Sequence, residues 1–158
     1  MPRWLPALLV AGAGLTLIAV VGVRLLLAQV EPPALGVDDG ELAPCPDADS
    51  CVSSTSVDPR HAIEPLPCDG EELDRVVEVA EAELPRTELL AREAGYAHLL
   101  ARSLVFGFPD DLELLAGDEV VHVRSASRVG ENDLGVNRDR VERLRSELVS
   151  VCGGVPAS

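Results

Sequence analysis

"DLELLAGDEVVHVRSAS", from Asp111 to Ser127, carries alternating apolar and polar residues on either side of Gly117-Asp118. Alternation with a period of two marks a half-covered strand, and Gly first in a two-residue loop marks a type II′ hairpin. Such a loop pairs Ala116 with Glu119 and steps outward one residue at a time. Leu114 then faces Val121 and Leu112 faces Val123, on the side expected beneath helices. On the other side Glu113 falls opposite His122, and Asp111 opposite Arg124. Opposite charges directly across a hairpin stabilise by a few tenths to about 1 kcal/mol each. These four side chains therefore read as a solvated, paired sheet face.

Outward from the hairpin, strand patterns cover residues 86–93, 96–106, 110–116 and 119–127, with Ala94-Gly95 as a second tight turn. Before them, Asp69 can cap a helix, with Glu72 three residues later as the capping-box partner. Leu73, Val76, Val77, Ala80 and Leu84 then share one helical face, and Pro85 stops the helix. After the strands, Asn137 can cap a last helix with Val141, Leu144, Leu148 and Val151 on its apolar face, ended by Gly153-Gly154. The order α-β-β-β-β-α predicts an α+β two-layer sandwich, a four-stranded antiparallel sheet flanked by an N-terminal and a C-terminal helix.

Upstream the chain changes character. Residues 4–23 run for 20 positions without a charge, between Arg3 and Arg24, close to the length a membrane-spanning helix needs. Leu26-Leu27-Ala28 makes a poor cleavage site because leucine stands where a small residue is wanted. An uncleaved signal anchor over residues 1–30 is expected, with a cleaved signal as the alternative. Residues 31–43 then read as a polar linker, 44–152 as the domain and 153–158 as a tail. Residues 45–67, rich in Pro, Ser and Asp, read as irregular or extended.

Cys45, Cys51, Cys68 and Cys152 all follow the anchor, an even number suited to an oxidising compartment. The domain is accordingly expected outside the cytoplasm, on a single-pass membrane protein. If the two helices pack antiparallel on one sheet face, the start of the first meets the end of the last. That geometry predicts Cys68–Cys152 and leaves Cys45–Cys51. Zinc could be imagined on Cys45, Cys51, His61 and Cys68, but the five residues between the first two cysteines do not suit a structural site, and no metal is expected.

The chain carries a formal charge of −14 and has no lysine. With Arg3 and Arg24 set aside, 27 acidic residues face 11 arginines. Such a surface repels nucleic acid and anionic lipid. Six of those arginines nevertheless lie between Arg124 and Arg145. By strand alternation Arg124 and Arg128 leave the sheet on the side of Asp111 and Glu113. Arg138 and Arg140 fall in the first turn of the last helix, where the macrodipole disfavours cations unless an anion is near. Asp111 and Asp133 are the expected internal counter-ions, which leaves Arg128 and Arg138 for an outside anion. Arg124, Arg128, Arg138, Arg140, Asp111, Asp133 and Asn137 are thus the candidate binding residues, for an unknown protein or a small anionic ligand.

Catalysis finds less support. Asp110 and Asp111, being adjacent in a strand, point to opposite faces. Ser53, Ser54, Ser125 and Ser127 lack a strained G-x-S-x-G turn. His61, His98 and His122 are the only histidines. The alternative to a binding module is a hydrolase-like enzyme using Asp111, Glu113 and His122, with Arg124 and Arg128 to stabilise an anion. No Gly-rich phosphate loop or dinucleotide fingerprint is present, so no cofactor is expected.

"CP" at Cys45-Pro46, "CVSS" at 51–54, "GFPDDLEL" at 107–114 and "VRSASRVGENDLGVNRDRVERLR" at 123–145 together resemble domain-of-unknown-function family 1499, found in bacteria and plastids. The likeness covers roughly residues 43–149. Carried over by position, its motif residues would be Cys45, Pro46, Cys51, Val52, Ser53 and Ser54. Further on come Phe108, Asp110, Asp111, Glu113, Arg124, Ser125, Ser127, Arg128, Gly130, Asp133, Gly135, Asn137 and Arg138. Asp49-Ser50 and Glu131-Asn132 depart from the family pattern, both in loops. The resemblance implies a membrane-linked location and no particular reaction.

Overall fold

The computed structural model describes residues 5–32 and 34–152. The tail at 153–158 lies outside them. In chain order the elements are α1 (Leu5–Leu27), β1 (Val37–Asp38), β2 (Glu41–Leu42), β3 (Cys51–Ser53), α2 (Leu73–Glu83), β4 (Thr87–Glu93), β5 (Tyr96–Arg102), β6 (Pro109–Ala116), β7 (Val121–Ser127) and α3 (Val136–Val149). The fold is α+β. Its sheet has five strands, in the order β3-β7-β6-β5-β4, all antiparallel to their neighbours.

The fifth strand corrects the four-strand expectation. β3 comes from the "CVSS" stretch, which looked irregular because it is three residues long and buried on both faces. A strand that short cannot display an alternation.

α2 begins as anticipated. Asp69 accepts the Glu71 amide while Glu72 reaches back to the Asp69 amide, closing a capping box over a single 3₁₀ turn, Gly70–Glu72. Leu73, Val76, Val77 and Ala80 are buried on its inner face, with Leu84 just beyond it. α3 buries Val141, Leu144 and Leu148 against the same side of the sheet, where they meet Leu99, Leu112, Leu114 and Val123. The two helices bring together the ends that carry Cys68 and Cys152, which are bonded; Cys45 and Cys51 form the other disulfide.

Three local expectations change. The β6–β7 connection is the four-residue loop 117–120, closed by a hydrogen bond from Gly117 N to Val120 O at 2.9 Å, so Ala116 pairs with Val121. The register therefore moves by two residues. A shift of two preserves which face each side chain takes but changes its partner: Glu113 lies opposite Arg124, Leu115 opposite His122 and Asp111 opposite Ala126. Asn137 is not the cap of α3. The cap position is Gly135, at φ +84°, and Asp133 accepts the amides of Gly135 and Asn137 through its two carboxylate oxygens. α3 also ends at Val149, before Gly153-Gly154.

Within the expected linker, residues 36–43 are structured and touch the sheet. β1 and β2 form a small hairpin. The Gly36 amide donates to Glu113 Oε1 at 2.6 Å, and Leu42 and Ala43 are buried. The outer face of the sheet is thus covered rather than solvated.

α1 holds a single charged residue, Arg24, in its last turn. Its side chains are described for Leu8, Val10 and residues 12–27, and among the described residues no helix is long and apolar enough to cross a membrane.

Candidate functional site

Strand alternation sends Asp110 and Asp111 to opposite faces, and each anchors its own ionic network. On the outer face, Asp111 is 0% exposed. His98 Nε2 meets its Oδ1 at 2.7 Å, and Arg128 grips it through Nη2 at 2.7 Å and Nε at 3.0 Å. The remaining Arg128 nitrogen, Nη1, donates to the Val30 carbonyl at 2.9 Å. Burial alone would raise the Asp111 carboxyl; the hydrogen bonds from His98 and Arg128 outweigh it and hold the group below its ordinary 3.8.

Beside this triad, Glu113 receives Arg124 Nη1 at 2.5 Å, the Tyr96 hydroxyl at 2.8 Å and the Gly36 amide. Arg124 is itself 1% exposed, and its Nε has no partner among the described residues. Burial, and then the charge of Glu113, push the Tyr96 phenol above its usual range. Two carboxylates and two guanidinium groups neutralise each other beneath the N-terminal segment.

The second network lies at the helix side. Asp110 accepts Arg140 Nη2 at 2.5 Å and the Ser127 hydroxyl at 2.6 Å. Asn137, buried in the first turn of α3, accepts the Ser125 hydroxyl at 2.7 Å and donates to the Ser50 carbonyl and the Ser127 hydroxyl, both at 2.9 Å. One amide side chain therefore joins α3 to β7 and to the segment entering β3. Arg138 donates to the carbonyls of Ala62 and Arg60, at 2.9 and 3.1 Å, and Arg145 to those of Pro65 and Glu64. These two straps tie α3 to segment 58–66, whose backbone also hydrogen-bonds to Ser53 and Val121.

The arginines therefore divide differently from the sequence expectation. Arg124, expected against Asp111, belongs to Glu113; Arg128, expected to be free, belongs to Asp111. Asp133 was placed as a counter-ion and serves backbone amides. Of the six arginines between Arg124 and Arg145, only Arg143 is exposed. It lines an open groove of about 430 Å³ between α3 and the β4–β5 edge, together with Arg86, Arg102 and Arg140.

For the hydrolase alternative, the structure brings His98, not His122, to Asp111. His122 instead approaches the Ser54 hydroxyl at 3.4 Å, and that hydroxyl already accepts the Val123 amide at 2.9 Å. His98 and Tyr96 were missed. The signal was present in part: the turn at Ala94-Gly95 and simple alternation place both on one face of β5. Their pairing with β6 depends on the loop at 103–108, whose geometry no local rule dictates. As for metals, Cys68, Glu72 and Cys152 lie close together, but both sulfurs are in the disulfide and offer no thiolate. Cys45 and Cys51 are likewise spent, and His61 Nδ1 is bonded to the Cys51 carbonyl at 2.9 Å.

A search of curated proteins and a search of solved structures each returned no match. A protein-family model described as "Protein of unknown function (DUF1499)" matches residues 41–148.

Proposed function

We propose, from the premise that the chain belongs to the DUF1499 family of proteins of unknown function, that it is a membrane-anchored, extracytoplasmic module that binds a partner and performs no chemistry of its own. The observation that carries this reading is the commitment of its acid–base groups. Asp111, Glu113 and His98 are buried and held by arginines or by one another. A general base must reach its substrate's proton, and these carboxylates are spent neutralising buried cations.

Support for the anchor is the 20-residue uncharged run together with the outward-facing Leu15, Leu17, Ile18, Leu25 and Leu26 of α1. Two disulfides and no free cysteine favour an oxidising compartment. The partner-contacting surface is the groove in which Arg86, Arg102 and Arg143 stand beside Asp139 and Glu142, Arg140 being already paired with Asp110; its three other arginines suit a small anion or an acidic group of a protein.

A photo-crosslinking side chain at position 143, in the full chain in its native membrane, is expected to give a discrete adduct that the same group at exposed Val57 does not give. Arg143→Ala should abolish partner capture and leave stability within about 0.5 kcal/mol, as for an ordinary surface change. Identical labelling at positions 143 and 57 defeats the groove assignment. A mature N-terminus mapped after Ala28 defeats the anchor.

A further inference from the structure

Both phenylalanines of the chain sit in one loop, and neither is in the core. The β5–β6 connection leaves Leu104 67%, Val105 54%, Phe106 44% and Phe108 40% exposed. The β7–α3 loop adds Leu134, 92% exposed, and Val129 across a shallow groove of about 360 Å³. Elsewhere the domain buries its large apolar side chains with few exceptions. A contiguous apolar patch of this kind marks an interaction surface, whereas single exposed residues do not.

The loop is built to hold that shape. The Ser103 amide donates to the Phe108 carbonyl, and the Phe108 amide donates to the Ser103 hydroxyl. Gly107 takes φ +72°, a conformation that favours glycine. The two aromatic rings lie 5.8 Å apart, tilted by 57°. A loop already ordered in this way loses little conformational freedom when its side chains are covered.

Its place relative to α1 identifies the cover. Arg24 donates through Nε to the Val105 carbonyl at 2.9 Å and through Nη2 to the Leu104 carbonyl, and its stem lies against Gly107. Arg24 is also the charge that ends the uncharged run. With α1 from Leu5 to residue 23 in hydrocarbon, Arg24 stands at the headgroup level, and so does the loop bonded to it. Leu25 and Leu26, which follow Arg24 in α1, are exposed as well.

We infer that the Leu104–Phe108 loop, with Val129 and Leu134 beside it, inserts into the interface of the same bilayer that holds α1 and seats the domain against it. The inference rests on the membrane-anchor reading. The driving force is burial of apolar area. The acidic remainder of the domain is repelled by anionic lipid, so phosphatidylcholine is the bilayer in which apolar burial can act alone.

The full chain, with Trp4→Phe to remove the native fluorophore, is reconstituted into phosphatidylcholine vesicles with a Phe106→Trp reporter. Leu104→Trp serves as an independent second reporter and Val57→Trp as a solvent control. Non-reducing peptide mapping first establishes that both disulfides have formed. Phosphatidylcholine brominated in its acyl chains should cut the emission of the loop reporters by about twofold and leave the control unchanged, as expected for side chains at the interface. If the protein floats with the vesicles while the loop reporters are quenched by aqueous iodide as fully as the control, the loop proposal is overturned and the anchor stands. Reporters shielded from both quenchers indicate a contact between copies of the chain, which also overturns it. Protein that fails to float at all defeats the anchor, and the loop proposal with it.

Discussion

On the helix side of the sheet, Leu99, Leu112, Leu114 and Val123 are fully buried; on the opposite side, at the same depth, stand Asp111, Glu113 and Arg124. Both faces are dry, yet they resist change for different physical reasons. The apolar side is held by area removed from water, which is roughly additive and fails by degrees. The ionic side is held by mutual neutralisation. Removing one member there leaves a charge buried without compensation, so the whole desolvation cost returns at once. The ionic face is the less forgiving of the two, although it is not for that reason the stronger contributor.

That contrast can be broken most directly at Arg124. Arg124→Ala strands Glu113 and is expected to destabilise by about 3–5 kcal/mol, read from the urea midpoint. Glu113→Leu combined with Arg124→Met should recover most of that loss, because no charge is then left unpaired. A double variant as unstable as the single one would mean that the ion pair itself contributes.

The apolar face supplies the comparison. Leu112→Ala is expected to destabilise by about 3 kcal/mol through lost burial and a residual cavity, and the volume-conserving Leu112→Met by less than about 1.5 kcal/mol. Losses of the same size from both would erase the distinction between the faces.

The smallest expected effect sharpens it by pH. Asp111 is held below its ordinary 3.8 in the folded state, so its contribution is present above that value and is lost as pH falls through the folded value. The wild type should therefore lose stability steeply in acid, below about pH 4. Asp111→Asn should be weaker at pH 7 by about 1–3 kcal/mol, because Arg128 loses its charged partner. It should also show a shallower decline in acid. An unchanged acid slope would remove Asp111 from the network that holds the outer face.

Much of this was legible in the chain because it is local. The alternation over 111–116 and 121–127 and the helical spacing of Leu73, Val76, Val77 and Ala80 each depend on residues within a few positions of one another, as does the Asp69/Glu72 box. Even the Cys68–Cys152 pairing followed, since two helices packed on one face bring those ends together. The same reading failed where the deciding quantity was a loop. A four-residue connection at 117–120 in place of two moved Glu113 from His122 to Arg124 while leaving every face assignment intact, since the side-chain period is two.

The residue pattern by itself determined the class of fold, the faces of the strands and helices, the disulfides and the concentration of arginines between Arg124 and Arg145. Only the tertiary structure decided that β3 joins the sheet edge, that the Val30 carbonyl and the Gly36 amide reach Arg128 and Glu113 on its outer face, and that Arg128 rather than Arg124 meets Asp111. The physical reason is the same in each case: periodicity states which way a side chain points, whereas what it touches depends on the segment that arrives from far along the chain to cover it. A charge that looks solvated in the sequence becomes a buried pair once such a segment supplies a roof, as Gly36 does over Glu113 and Val30 beside Arg128.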